Sequence, residues 1–230
     1  MKKLLYIIGT MAILLALSCS KGEEETPPAD PIPLSVGNWW LFEDLTNTTK
    51  WSKDSIVAQE SFGPHADAYR VIETGSDKGI RPLLRLPYSD SIWFFYDGDY
   101  FTVGLIMPPP IDTMEIKYFK KNPSVGDSWF TRMIWITDME PDGTDDTLIR
   151  RFNGKIVGQQ DVTVPAGTFT GAYRAFYTSI DSIWISSDGS WEVNQDTICW
   201  VYWALGTGPV KLTDPPDEST GSQLKDYDVK

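Results

Sequence analysis

The chain has 230 residues, of which 41% are hydrophobic and 32 acidic against 20 basic, for a net charge of −12. That length and apolar content suffice for one β-rich core, and ten each of Phe, Tyr and Trp beside 18 Gly and 16 Pro favour strands and turns over helices. So acidic a chain lacks the basic face that phosphate backbones require, which sets nucleic acid aside as a partner.

At the N-terminus, Lys2 and Lys3 precede an apolar run from Leu4 to Leu17, broken only by Gly9 and Thr10. This is the length of a signal-peptide core and too short for a bilayer span. Residues 1–18 are therefore expected to be a lipoprotein signal peptide, whose removal would take the charge to −14. "ALSC" at 16–19 resembles the lipobox of bacterial lipoproteins, with Ala16 and Leu17 in the reverse of the usual order. The resemblance implies that Cys19 becomes the acylated first residue, and an ordinary signal peptide is the alternative. Two or three acyl chains would anchor the protein without a transmembrane helix. Cys19 then leaves the disulfide count, and Cys199 is a lone thiol.

Residues 19–33 are acidic and rich in proline, and are expected to form a disordered tether. Lys21 followed by Glu23, Glu24 and Glu25 resembles the surface-export signal of some diderm lipoproteins; a merely solvated linker is the alternative. The expected location is the cell envelope, lipid-anchored to the outer membrane, with surface exposure implied by that signal.

Residues 34–230 read as one antiparallel β domain, all-β with little helix. Short aromatic and β-branched runs alternate with turn signals at Asp97-Gly98, Asp142-Gly143, Asn153-Gly154 and Asp188-Gly189. "TICWVYW" at 197–203 is apolar on both strand faces, which predicts cover on both sides. A weak repeat pairs "SVGNWWLF" at 35 with "SVGDSWFT" at 124, "AYRV" at 68 with "AYRA" at 172, and "DSIW" at 90 with "DSIW" at 181. It predicts two similar β units of about ninety residues.

Chemistry is sparsely signalled. His65 is the single histidine, no nucleophile elbow accompanies it, and neither a histidine-dependent nucleophile nor a His/Cys metal cluster can be built. No carboxylate pair is marked among the many acids. We expect no enzyme and no cofactor. The loop "DMEPDGTDDTLI" offers Asp138, Glu140, Asp142 and Asp146 at calcium-loop positions around Gly143. Ile149 stands where a bidentate Glu belongs, and the flanks read as strands. An acidic hairpin loop is the plainer reading.

Two motifs are more specific: "VTVPAGTFTGAYRA" at 162–175 and "CWVYWALGTGPVKL" at 199–212. In them Pro165 fixes φ, Gly167 permits a left-handed turn, Phe169 plugs the core beside it, and Trp203, like Trp40 and Trp129, anchors a strand end. From Pro33 onward the chain resembles poorly characterised secreted bacterial lipoproteins that carry VPAGTF and YWYA.GVGLVK-type motifs. These look related to the half-barrels of lipoprotein carriers such as LolA and LolB. The resemblance implies a single curved antiparallel sheet, or half-barrel, holding lipid on its concave face. Pro209 departs from the pattern and suggests a sheet edge or a strand end.

Two binding roles remain open. Alternating apolar residues in strands 92–96, 101–106, 133–136 and 198–203 would line a pocket for a hydrophobic ligand or lipid. Alternatively, Trp39, Trp51 or Trp191 would stack on sugars of a surface glycan. A structural or interaction role in the outer membrane is the third reading, with its protein partners unknown.

Overall fold

The computed structural model describes residues 30–62, 65–76, 81–87, 91–97, 113–138 and 142–230. These form strands β1 (Trp39–Asp44), β2 (Trp51–Phe62), β3 (His65–Gly75), β4 (Arg81–Pro87), β5 (Ser91–Asp97) and β6 (Thr113–Lys120), then β7 (Ser128–Thr137), β8 (Asp146–Val164), β9 (Gly167–Ile185), β10 (Ser190–Ala204), β11 (Gly208–Thr213) and β12 (Gly221–Asp228). No helix occurs among the described residues. All twelve strands lie in one antiparallel sheet, ordered β6-β5-β4-β3-β2-β1-β12-β11-β10-β9-β8-β7. Every neighbour is consecutive in sequence except the central pair β1 and β12, which ties the start of the domain to its end.

The sheet curves until its edges meet without closing. Phe119 of edge strand β6 stacks on Trp203 of β10 at 4.5 Å, although eight steps along the sheet separate the two strands. Only curvature can bring them together. Between β6 and β7, side chains replace a ladder: Trp129 Nε1 donates to the Lys117 carbonyl (3.0 Å), and the Lys117 amide donates to Thr131 Oγ1 (2.9 Å). Lys120 and Asp127 add an ion pair at 2.9 Å beside this seam.

The two halves repeat in backbone detail. Gly37 and Gly126 have φ of +97° and +96°, a region that Gly enters without a Cβ clash. Their amides donate to the carbonyls of Ile56 and Ile156, both at 2.9 Å, and those isoleucine amides return bonds to Asn38 and Asp127. The β2–β3 and β8–β9 hairpins carry matching bulges: Val57 is skipped between Ile56↔Val71 and Ala58↔Arg70, and Val157 between Ile156↔Ala175 and Gly158↔Arg174. A second bulge follows four residues later in each. The "SVG" and "AYR" repeats thus mark equivalent places. "DSIW" does not, because residues 91–93 open the separate strand β5 whereas 182–184 continue β9.

Asp142-Gly143 and Asp188-Gly189 lie in turns, with Gly143 and Gly189 at positive φ. Asn153-Gly154, expected to be a turn, lies inside β8. The reason is steric: a Cβ on Gly154 would sit 2.3 Å from Trp129 Cε2, so the glycine makes room for an indole from the neighbouring strand. Asp97 ends β5, and residue 98 lies outside the described residues. Pro209 is the second residue of β11, an interior strand, so it marks a strand end and not a sheet edge.

The main core fills the inner face with Trp40, Phe119, Trp129, Ile156, Tyr177, Val201, Trp203 and their neighbours. Tyr118 meets Trp203 edge-on at 5.0 Å, and Tyr177 hydroxyl donates to the Tyr118 carbonyl (2.7 Å). Asp30 to Pro33, expected within the tether, are docked on this domain. Gly206 amide donates to the Asp30 carbonyl (2.7 Å), Asn38 Nδ2 donates to the Pro33 carbonyl (2.8 Å), and Ile32 is 1% exposed.

Candidate functional site

Side chains alternate across each strand, so β7–β10 present two faces with different chemistry. On the inner face, beyond the main core, Ile116, Trp135 and Leu148 form a smaller buried cluster edged by half-buried Met133, Phe152 and Ile183. A bidentate ion pair crosses it: Arg150 Nε and Nη2 donate to the two Asp181 oxygens at 2.6 and 2.5 Å. Apolar neighbours strengthen this pair by excluding water, yet its planar fork geometry is what satisfies both charges there.

On the outer face, a groove of about 700 Å³ runs along the seam. Its walls are the rings of Phe130 and Phe176, and its hydrogen-bonding groups come from Ser128, Asn153, Thr178 and Gln195. Lys117 reaches it from β6 and Lys155 from β8, while Trp129 and Gly154 lie at its base. The register explains the assembly. Ser128, Lys155 and Phe176 are direct cross-strand neighbours, as are Phe130, Asn153 and Thr178, so two adjacent rows share the outer face. Phe176 is backed by Trp200 at 4.2 Å between centroids, and Trp200 by the Arg174 guanidinium at 3.8 Å. Asn153 Nδ2 bonds Thr178 Oγ1 at 3.2 Å, which aligns the amide across the groove.

Beside that stack, Arg174 and the Tyr202 hydroxyl both donate to Glu218, the latter at 2.5 Å, with Thr213 Oγ1 at 3.2 Å. The loop carrying Glu218 thereby covers the outer side of β10 at Tyr202, whereas Ile198, in the stretch expected to be covered on both sides, is 40% exposed. Burial pushes the Glu218 carboxyl up, but the Tyr202 hydrogen bond, the Arg174 charge and Thr213 outweigh it and hold it below its ordinary value. Tyr202 is pushed up to about 12 by burial and by Glu218. A lowered carboxyl contributes stability above its unfolded pKa and loses it as pH falls through the folded one. Acid titration of wild type should therefore show stability falling below about pH 4.5. Glu218→Gln should flatten that slope in urea unfolding at successive pH values, and an unchanged slope would remove this clamp from the account.

Among the residues singled out from sequence, Cys19 and Glu140 lie outside the described residues, as does the expected strand 101–106. Asp138 is engaged by its own loop, accepting from the Gly143 amide at 2.9 Å. Asp146 is 1% exposed and accepts from Ser186 N and Oγ at 2.8 and 2.9 Å. Among the described residues no three His, Cys, Asp or Glu side chains come together to hold a metal ion. Pro165 and Ala166 make the turn between β8 and β9, whose Ala166 amide docks on the Leu224 carbonyl (3.2 Å). Gly167 follows at φ +137°, and Phe169 packs on Tyr227 with 6.0 Å between ring centroids. Trp203 is completely buried at the centre of the core. Cys199, a free thiol, is pushed up to about 12 by burial and by Asp214.

Of the candidate sugar-stacking rings, Trp39 carries the Lys53 ammonium 4.2 Å from its centroid. Trp51 lines a separate pocket of about 240 Å³ with Phe42, Glu43 and Lys50. Trp191 is 50% exposed beside Trp184 on the outer face. None of the three lines the seam groove. Phe130, Phe176, Lys117 and Lys155 do, and sequence reading passed over them because they come from four strands and share no motif.

No family model and no curated protein matches the chain. Two solved structures are similar to it. One is described as a "putative lipoprotein from Parabacteroides distasonis": 13% identity, TM-score 0.46, 88% of this chain and 100% of that one covered. The other is a "putative exported protein with YmcC-like fold" from Bacteroides fragilis: 14% identity, TM-score 0.42, 87% and 99% covered.

Proposed function

We propose that the chain is a non-enzymatic binding protein of the cell envelope, held to the outer membrane by lipid on Cys19, which takes a sugar ring in the seam groove. The observation that carries the ligand is the groove's lining, two phenylalanine rings set among amides and hydroxyls. Pyranose rings have an apolar face that stacks on an aromatic ring and a hydroxyl rim that amides satisfy, so one site can hold both. The envelope location rests on the signal segment and the "ALSC" lipobox, and surface display on Lys21 and the glutamates after it.

Two experiments test these parts. Replacing Cys19 by Ala should move the protein from the membrane fraction to the soluble one, and a variant that remains membrane-bound after signal removal contradicts the anchor. On a glycan array, Phe130→Ala should abolish whatever signal wild type gives. Phe130 is 58% exposed, so its loss should leave folding nearly unaltered.

A hydrophobic ligand is the second reading. Half-buried Met133, Phe152 and Ile183 on the inner face favour it, since they add an apolar lining outside the main core. A lipid co-purifying in native mass spectrometry, and lost on Met133→Gln, would select that reading over the groove.

A further inference from the structure

We propose that the seam groove is controlled from outside by Glu218: its carboxylate holds Arg174 against Trp200, and Trp200 in turn fixes the Phe176 wall. This deepens the sugar-binding reading above and rests on it. The parts form one block on the outer face. Phe176 and Arg174 stand two residues apart on β9, and their direct cross-strand neighbours on β10 are Trp200 and Tyr202. Phe176 lies 4.2 Å from Trp200 between centroids, and the Arg174 guanidinium lies 3.8 Å from the centre of the same indole. Of these four side chains Phe176 is the one that lines the groove.

Glu218 locks the block. Its oxygens accept from Arg174, from the Tyr202 hydroxyl (2.5 Å) and from Thr213 Oγ1 (3.2 Å), and Thr213 is itself the β11 residue opposite Trp200. Glu218 stands in the loop between β11 and β12, where the Asp214 amide donates to the Thr220 carbonyl at 3.1 Å and closes the loop at its base. Its φ of +58° is a left-handed conformation that a glutamate enters at a cost. The bonds to its side chain offset that cost, so the loop keeps its shape through the clamp it carries. Release of the carboxylate would free the guanidinium on one side, loosen the stack on Trp200 and let Phe176 leave its place at the wall. A sugar stacked on that ring depends on the plane the ring presents, so contacts outside the groove govern affinity within it.

Glu218→Gly tests this, since glycine keeps the left-handed backbone and removes the carboxylate. In the ligand-free full chain in detergent, the NMR signals of the Phe176 ring and the Trp200 indole should move, while those of Phe119 and Trp203 in the core stay in place. Affinity for the glycan that gives the strongest array signal, read by calorimetric titration, should fall about tenfold. A chain that is less stable but still folded binds as before, so this loss reports the groove and not stability. In a double-mutant cycle with Trp200→Leu, which removes the flat link, Glu218→Gly should cost no further affinity. Unmoved Phe176 and Trp200 signals, unaltered affinity, or losses that simply add each overturn control by Glu218 and leave sugar binding standing. A wild type that binds no glycan overturns sugar binding, and control by Glu218 with it.

Discussion

Trp203→Ala is expected to lower the free energy of unfolding by about 3–5 kcal/mol, a large part of what a domain of this kind possesses. The indole is 0% exposed, stacks on Phe119 at 4.5 Å with 15° between planes, and meets Tyr118 edge-on. Its removal would take from β6 one of the contacts that draw the sheet round on itself, beside the seam bonds of Trp129 and Tyr177. The milder change Trp203→Phe separates volume from hydrogen bonding. Trp203 Nε1 meets no acceptor among the described residues, so phenylalanine loses no bond there. Trp40, equally buried, donates Nε1 to the Thr207 carbonyl at 2.5 Å. Trp40→Phe should therefore cost about 1 kcal/mol more than Trp203→Phe, since it orphans a buried carbonyl. Urea unfolding followed by circular dichroism measures all three; equal costs for the two phenylalanine variants would contradict the role given to the Trp40 bond.

Gly154→Ala is the second large effect, expected to cost about 1–3 kcal/mol through overpacking. The new Cβ would lie 2.3 Å from Trp129 Cε2 and 2.6 Å from Nε1, so the ring must move and its bond to Lys117 must break. Both halves of the Lys117 clamp depend on β6 lying against β7, and the Lys117 amide should exchange hydrogen faster than in wild type. Any ligand held in the groove should bind more weakly for the same reason. Unaltered stability together with unaltered exchange at Lys117 would show that the seam does not depend on Trp129.

The strand-and-turn pattern could be read directly where local chemistry decides it. Positive φ at Gly143 and Gly189 follows from Asp-Gly dipeptides between apolar runs, and Gly37 and Gly126 recur because each half of the domain needs the same left-handed turn. Asn153-Gly154 carries the same letters as a hairpin turn, and only the identity of its cross-strand partner, Trp129, distinguishes the two uses. That partner is a tertiary fact, absent from any window of sequence. The groove was hidden for a related reason. Phe130, Lys155, Phe176 and Gln195 stand on four strands brought together by register, and Lys117 joins them from a fifth through its seam bonds to Trp129 and Thr131. A sequence search for exposed tryptophans points instead to Trp39, Trp51 and Trp191, because tryptophan is the usual sugar-stacking ring and phenylalanine reads as core.

The most direct test of the account is ligand mapping by amide and side-chain NMR on the full chain, with the glycan that gives the strongest signal on the array. Binding in the seam groove predicts shifts concentrated at Phe130, Asn153, Lys155, Phe176, Thr178 and Gln195, with the inner-face signals of Met133, Phe152 and Ile183 unmoved. Shifts centred on those inner residues, or absent from the groove at saturating ligand, would contradict it.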